Sequence, residues 1–193
     1  DTGHRFDNSN PRVQAALTNG IGNAISGINN DQLGAIRNVV EDLVDGQIPF
    51  QRAVDTIKQH IGLNERQSRG LNNLHKKLIE AGLSDDEIQI ALTKAHDRML
   101  DFRAELIART ESINAASEGQ RLGWLQMIDE GVLNDDETRK FWIVTPDDRL
   151  DQVQCAPVPS LNPNGRRIGE PFVTPVGDRQ SPTLHPLCRC AQG

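Results

Sequence analysis

The 193-residue chain has no tyrosine, 4 % aromatic residues and three cysteines. It contains no apolar run near the roughly 20 residues that cross a bilayer as a helix, so a membrane role is not expected, and no secretory signal is visible in it. At 36 % hydrophobic residues it is lean for a globular domain. Such a chain is expected to draw part of its stability from a partner or a bound metal. Three cysteines are an odd number, which suits a disulfide framework poorly and a metal cluster well. There is no Gly-rich phosphate loop, no His-Glu-x-x-His and no Ser/His/Asp order, which weakens the case for nucleotide chemistry or hydrolysis. The net charge of −6 argues against a general nucleic-acid binder. Residues 1–138 carry 14 Lys+Arg against 22 Asp+Glu, and residues 139–193 carry 7 against 5. A basic stripe over DNA would be far stronger.

Helical patterning is well represented. After a polar arm over residues 1–9, Asn10-Pro11 reads as a helix start. Val13, Leu17, Ile21, Ala24 and Ile28 follow at helical spacing. Gly20, Gly22 and Gly27 interrupt them, each costing about 1 kcal/mol relative to Ala, so this helix should be weak. A clearer helix carries Leu33, Ile36, Val40 and Leu43 on one face and ends at Gly46. Pro49 opens the next, with Phe50, Val54, Ile57 and Ile61 on its face and Gly62 as its stop. Asn64 with Gln67 predicts a capping box for a third helix, striped by Leu71, Leu74 and Leu78 and ended by Gly82. Ser84 with Glu87 predicts another, opening the longest helix. Ile88, Leu92, Ala95, Met99, Phe102 and Leu106 form a heptad-like seam on it, suited to an antiparallel neighbour or a coiled-coil partner. The pattern continues to Gly131, with Gly119 or Gly123 as the place for a bend.

Beyond residue 131 the pattern changes. Lys140–Val144 is β-branched and aromatic and predicts a strand. The rest is rich in Pro and Gly and predicts turns, with a short second strand near Phe172-Val173. So poor a pattern buries little apolar surface, and something other than a core should hold it. All three cysteines lie here. Cys155, His185, Cys188 and Cys190 match the complement of a structural Cys₃His zinc site. Cys155 would close a long loop and tie the start of the tail to its end. A disulfide with one spare thiol, or three free buried thiols, are the competing readings. A catalytic zinc keeps one position open. Four protein ligands leave none, so a structural role is expected.

Two polar groupings stand beside this cluster. Arg109, Thr110 and Glu111 interrupt the apolar neighbours Leu106, Ile107 and Ile113. Arg109 and Glu111 are two apart and point to different helix faces. Either this is a solvated face, or it docks the tail through an ion-pair network with Asp147, Asp148 or Arg149. Breaking one side of a buried pair of that kind costs roughly 3–5 kcal/mol. The adjacent carboxylates Asp147 and Asp148 lack a third acidic partner for Mg²⁺ and read as a turn or salt-bridge pair. His4, His60, His75 and His96 are scattered and read as surface residues.

Ala108-Arg109-Thr110-Glu111, then Gly119, Lys140-x-Trp142, Thr145-Pro146-Asp147-Asp148-Arg149, Gly169-Glu170-Pro171-Phe172 and the closing His185-Pro186-Leu187-Cys188-Arg189-Cys190 occur in a distinctive order. This order resembles the phage head morphogenesis family, the minor head proteins similar to the F protein of phage Mu. The likeness covers roughly residues 60–190. It departs at Leu150–Gln154, which stand where many members carry a Cys-x-x-Cys, leaving Cys155 alone. The resemblance implies a virion component of the capsid interior or portal vertex, present in multiple copies there. It would associate with the portal protein, and with the major capsid protein, in head assembly or in DNA packaging and ejection. It implies no catalysis. Contact of Arg166, Arg167, Arg179 and Arg189 with packaged DNA is left open.

The expected architecture is mainly α: an N-terminal arm and weak helix over 1–29, a helical bundle over 30–131 with one long helix, and a small irregular α+β tail over 132–193 pinned by the Cys/His cluster. The alternative is a zinc-dependent phage nuclease or toxin. It requires an open zinc position with Glu170 or Asp148 as general acid or base.

Overall fold

A computed structural model describes residues 28–193. The polar arm and nearly all of the weak first helix lie outside the described residues. The chain divides into two compact units, one reaching to Ala108 and one beginning at Arg109.

The first unit is all helix. It contains α1 (Asn30–Val44), α2 (Phe50–His60), α3 (Glu65–Glu80) and the first half of α4 (Asp85–Asp129). The polar start signals act as the sequence predicts. Asn64 accepts from the Gln67 N–H at 2.9 Å while the Gln67 side chain accepts from the Asn64 N–H at 3.1 Å. Ser84 and Glu87 form the equivalent pair, with Glu87 Oε2 accepting from the Ser84 N–H at 2.9 Å. A third box, Asn29 with Gln32, opens α1. Gly46 and Gly82 take left-handed φ values of 71° and 74° just past the ends of α1 and α3, where a Cβ would be strained.

Helix α1 packs on α2 through Ile36, Val39 and Val40 against Ala53, Val54 and Ile57, all buried. Each such aliphatic side chain larger than alanine contributes about 1.5–3 kcal/mol on full burial. The heptad-like seam of α4 is divided. Ile88 and Ala95 are buried, but Phe102 is 55 % exposed, and Leu100, Ala104 and Ile107 are buried in its place. Arg103, also buried, donates to the Gly62 carbonyl. Helix α3 has no buried residue. Gln67 Nε2 ties it to the Met99 carbonyl of α4 at 2.9 Å.

The second unit consists of the rest of α4 and the tail. Helix α4 is unbroken through Gly119 and Gly123. The unit boundary thus falls at Arg109, inside α4, and not at the expected 131/132. Hydrogen bonds tie the tail to the helix. Thr183 donates its N–H and its hydroxyl to Asn114 Oδ1 at 3.0 and 2.7 Å, the Leu187 N–H donates to Thr110 Oγ1 at 3.3 Å, and Gln192 Nε2 donates to the Ser117 carbonyl.

Within the tail, β1 (Trp142–Ile143) pairs antiparallel with β2 (Ala191–Gln192), Trp142 opposite Gln192 and Ile143 opposite Ala191. The predicted strand at 140–144 is therefore present but shorter. Its partner is the chain segment after Cys190, not Phe172-Val173. Phe172 instead forms an isolated bridge with Arg179, and Lys140 forms one with Arg166. A single turn of helix, α5 (Val158–Leu161), stands where the Pro-rich tail predicts turns. Trp142, Cys155, Val158, Phe172, Cys188 and Cys190 form a small core. Trp142 meets Phe172 edge-on at 5.2 Å between ring centres. Among the described residues no helix is long and apolar enough to cross a membrane.

Candidate metal centre

Two sequence-distant segments bring the cluster together. The turn before α5 supplies Cys155. Asp151 builds that turn by accepting from the Val153 and Gln154 N–H groups at 2.9 and 2.7 Å. These bonds, Gln154's first, hold the Asp151 carboxyl below its usual range. The loop before β2 supplies His185 and Cys188. It reverses at Leu187, whose φ of 62° is rare for a residue other than glycine.

Cys155 Sγ lies 3.1 Å from His185 Nε2 and 3.6 Å from Cys188 Sγ. The ligand atoms of these three residues all lie within 4.8 Å of one another, so the group can hold a metal ion. The sulfurs are unbridged, and 3.6 Å is far beyond the roughly 2.05 Å of a disulfide. His185 is oriented for ligation. Its Nδ1 is 2.8 Å from the Pro186 carbonyl. That carbonyl can only accept, so the proton belongs on Nδ1 and the lone pair on Nε2 faces the cysteines. Asp151 Oδ2 stands 4.0 Å from the same Nε2.

Cys190 is buried and its thiol interacts with both Cys188 and Cys155. It does not belong to the mutually close set of three. It is thus the fourth sulfur or nitrogen donor at hand, outside that set. The Trp142 indole Nε1 has no oxygen or nitrogen partner; its interaction with the Cys190 sulfur favours the thiolate there.

The electrostatics of the cluster favour a cation. Hydrogen bonding from Cys190, and from the Leu184 and Cys190 backbone, lowers the Cys188 pKa to about 5 against the opposing effect of burial. Burial first, and then the charge on Cys188, pushes Cys155 up to about 11. Cys190 is also pushed up, chiefly by its bond to Cys188 and by burial. The protein alone therefore supports one thiolate. Ionising all three thiols requires a positive charge among them.

The expected ion-pair residues are placed differently. Glu111 is buried and Arg109 half-buried, but Asp148 and Arg149 are both exposed. No buried network spans all four. The ion pair of this turn joins Asp147 to Arg189 through both guanidinium nitrogens, and it holds the Asp147 carboxyl at about 2. Arg189 sits between Cys188 and Cys190, and Asp147 is one of the tail partners that the sequence offers.

A cleft of about 10 Å³, room for one water-sized molecule, opens beside the cluster. It is lined by Cys155, His185 and Cys190 and by Asp151, Arg149 and Arg189, among others. Neither Asp148 nor Glu170 lines it. Glu170 instead faces Arg166 at 3.7 Å. Sequence reasoning missed Asp151, although Asp four residues before a candidate ligand was a visible signal of a turn. It also missed Asn162 and the burial of Lys140, which no local pattern announces. No family model, curated protein or solved structure matches the chain.

Proposed function

We propose that this chain is a minor head protein of a bacteriophage, an assembly module of the portal vertex whose tail is held by a structural zinc ion. The observation carrying this reading is the convergence of the motif set in one unit. Thr110 of the Ala-Arg-Thr-Glu segment bonds Leu187 of the closing motif. Trp142 of the Lys-x-Trp segment packs on Phe172 of the Gly-Glu-Pro-Phe segment. Cys155 meets His185 and Cys188. Residues that resemble the phage head morphogenesis family in order also form one small structure.

Zinc is the metal that suits these donors. Thiolate and imidazole ligands favour it over the oxygen-seeking cations. Two sulfurs bound at about 2.3 Å with a tetrahedral angle lie about 3.8 Å apart, close to the 3.6 Å between Cys155 and Cys188. Cys155, His185, Cys188 and Cys190 would hold the ion and leave no position for substrate. When bound, the ion supplies the positive charge that three buried thiolates need.

Three of the four tail arginines are engaged within the chain, which supports protein assembly rather than a DNA groove. Arg166 donates to the Pro171 carbonyl at 2.9 Å and faces Glu170. Arg167 meets Asp136 at 2.9 Å and Asp135 at 3.7 Å. Arg189 is paired with Asp147. Charges neutralised within the chain release few counterions from DNA. The nuclease alternative loses support for a related reason, since Glu170 and Asp148 do not line the cleft beside the cluster.

The test is reconstitution with a phage portal protein. Zinc-loaded protein is expected to co-sediment with portal rings, and electron microscopy should place it on them. Failure to bind rings, together with metal-dependent cleavage of nucleic acid, would overturn the proposal.

A further inference from the structure

We propose that the cluster is also an oxidation-sensitive catch: a hydroperoxide joins Cys155 to Cys188, ejects the ion and loosens the tail from α4. This rests on the metal-site reading above. Cys155 is the sulfur that both lines the cleft and lies 3.6 Å from Cys188. The cleft has room for about one water-sized molecule. So narrow an opening excludes a bulky alkylating reagent and favours hydrogen peroxide, the smallest of the hydroperoxides. Cys188 does not line the cleft and is 1 % exposed; of the two cysteines that do, Cys155 and Cys190, the first attack is assigned to Cys155 because its sulfur lies 3.6 Å from that of Cys188.

The chemistry balances. The Cys155 thiolate attacks one peroxide oxygen and the O–O bond breaks. This leaves a sulfenic acid on Cys155 and hydroxide, which takes a proton to become water. The Cys188 thiolate then attacks the Cys155 sulfur, the S–O bond breaks, and the second oxygen leaves as water after protonation. Two electrons pass from the two sulfurs to the peroxide. The sulfurs approach by about 1.5 Å to reach the disulfide length, a change that side-chain rotation can supply. A bridge between Cys188 and Cys190 would have to close around one residue, and Cys190 is left free.

The consequence is mechanical. The loop carrying His185 and Cys188 also carries Leu187, whose N–H bonds Thr110, and runs into Gln192, which bonds Ser117. With two ligands withdrawn the ion leaves, and this loop loses what fixes it between β2 and α4.

Full-length zinc-loaded protein should be treated with hydrogen peroxide, and in parallel with a bulky maleimide. Released zinc is read by a chromogenic chelator, and bridges by peptide mass mapping. Peroxide is expected to release one zinc per chain with a Cys155–Cys188 bridge that a reductant reverses, while the maleimide reacts far more slowly. Amide exchange should rise over residues 185–192. A Cys190→Ser variant should still form the bridge. A Cys188–Cys190 bridge, over-oxidation to sulfinic acid, or no reaction under conditions that oxidise free glutathione would each overturn the catch. Protein purified without zinc would refute the metal reading. Mapping the peroxide product of that metal-free protein would still decide the bridge.

Discussion

Lys140 has no exposed surface, and its ammonium sits 4.8 Å from the centre of the Phe172 ring while donating to the Gln180 carbonyl at 2.7 Å. Burial, aided by the nearby Arg121, lowers its pKa to about 8. In the unfolded chain Lys140 keeps its proton up to about 10.4. Between those values the unfolded state binds more protons, so this group makes stability rise with pH. The neutral amine still donates to Gln180. Zinc-loaded protein should therefore gain thermal stability between pH 7.5 and 10. A Lys140→Met variant should lack that gain, and melting curves of equal pH slope for the two would refute it.

The Asp147–Arg189 pair behaves in the opposite sense. A carboxyl held at about 2 adds stability that is fully present above its ordinary value near 3.9 and is lost as pH falls through 2. An Asp147→Asn variant should be less stable than the parent at pH 6, with the difference shrinking towards pH 2. Acid titration followed by circular dichroism tests this. A difference independent of pH would mean that the pair acts through packing alone.

Asn162 is 5 % exposed and makes three bonds. Its Nδ2 donates to the Val158 and Val173 carbonyls at 2.8 and 2.9 Å, and its Oδ1 accepts from the Val173 N–H at 3.0 Å. It joins α5 to the segment bearing Phe172. Substitution by Ala strands buried backbone groups and should cost roughly 2–4 kcal/mol. Denaturant titration reads the loss, and a cost below about 0.5 kcal/mol would show that water replaces the amide.

Gly165 has a φ of +66°, and a Cβ there would stand 2.8 Å from the Lys140 carbonyl and 3.0 Å from the Phe141 ring. Gly165→Ala should destabilise by about 1–3 kcal/mol through strain and crowding together. The same substitution at Gly169, where no atom lies within 4 Å, should be close to neutral. Equal melting points for the two variants would disprove the crowding argument.

Metal removal should act on the tail unit first. Chelation, or a His185→Ala substitution, should raise amide exchange over residues 140–192 while residues 30–61 keep their protection. Loss of protection across both regions together would show that the metal stabilises more than the tail.

Local chemistry was enough to determine the helices. Asn64 with Gln67 and Ser84 with Glu87 satisfy orphan amides from three residues away, and glycine ends helices wherever a left-handed residue is needed. Those signals act within a turn or two, so they are legible in sequence. Sequence also singled out Cys155, His185 and Cys188, which the fold brings close enough to hold a metal ion, because clustered Cys and His in a pattern-poor tail have few other uses. Tertiary structure decided the rest. The partner of β1 lies at Ala191–Gln192, some fifty residues on, and no alternation of two residues encodes a pairing partner. The unit boundary fell inside α4 because the Thr110 and Asn114 side chains and the Ser117 carbonyl bond the tail, and neutral groups of that kind announce nothing locally. Phe102 left the seam and Lys140 entered the core for the same reason. Burial is a property of which surfaces meet, and that is settled only when the whole chain is in place.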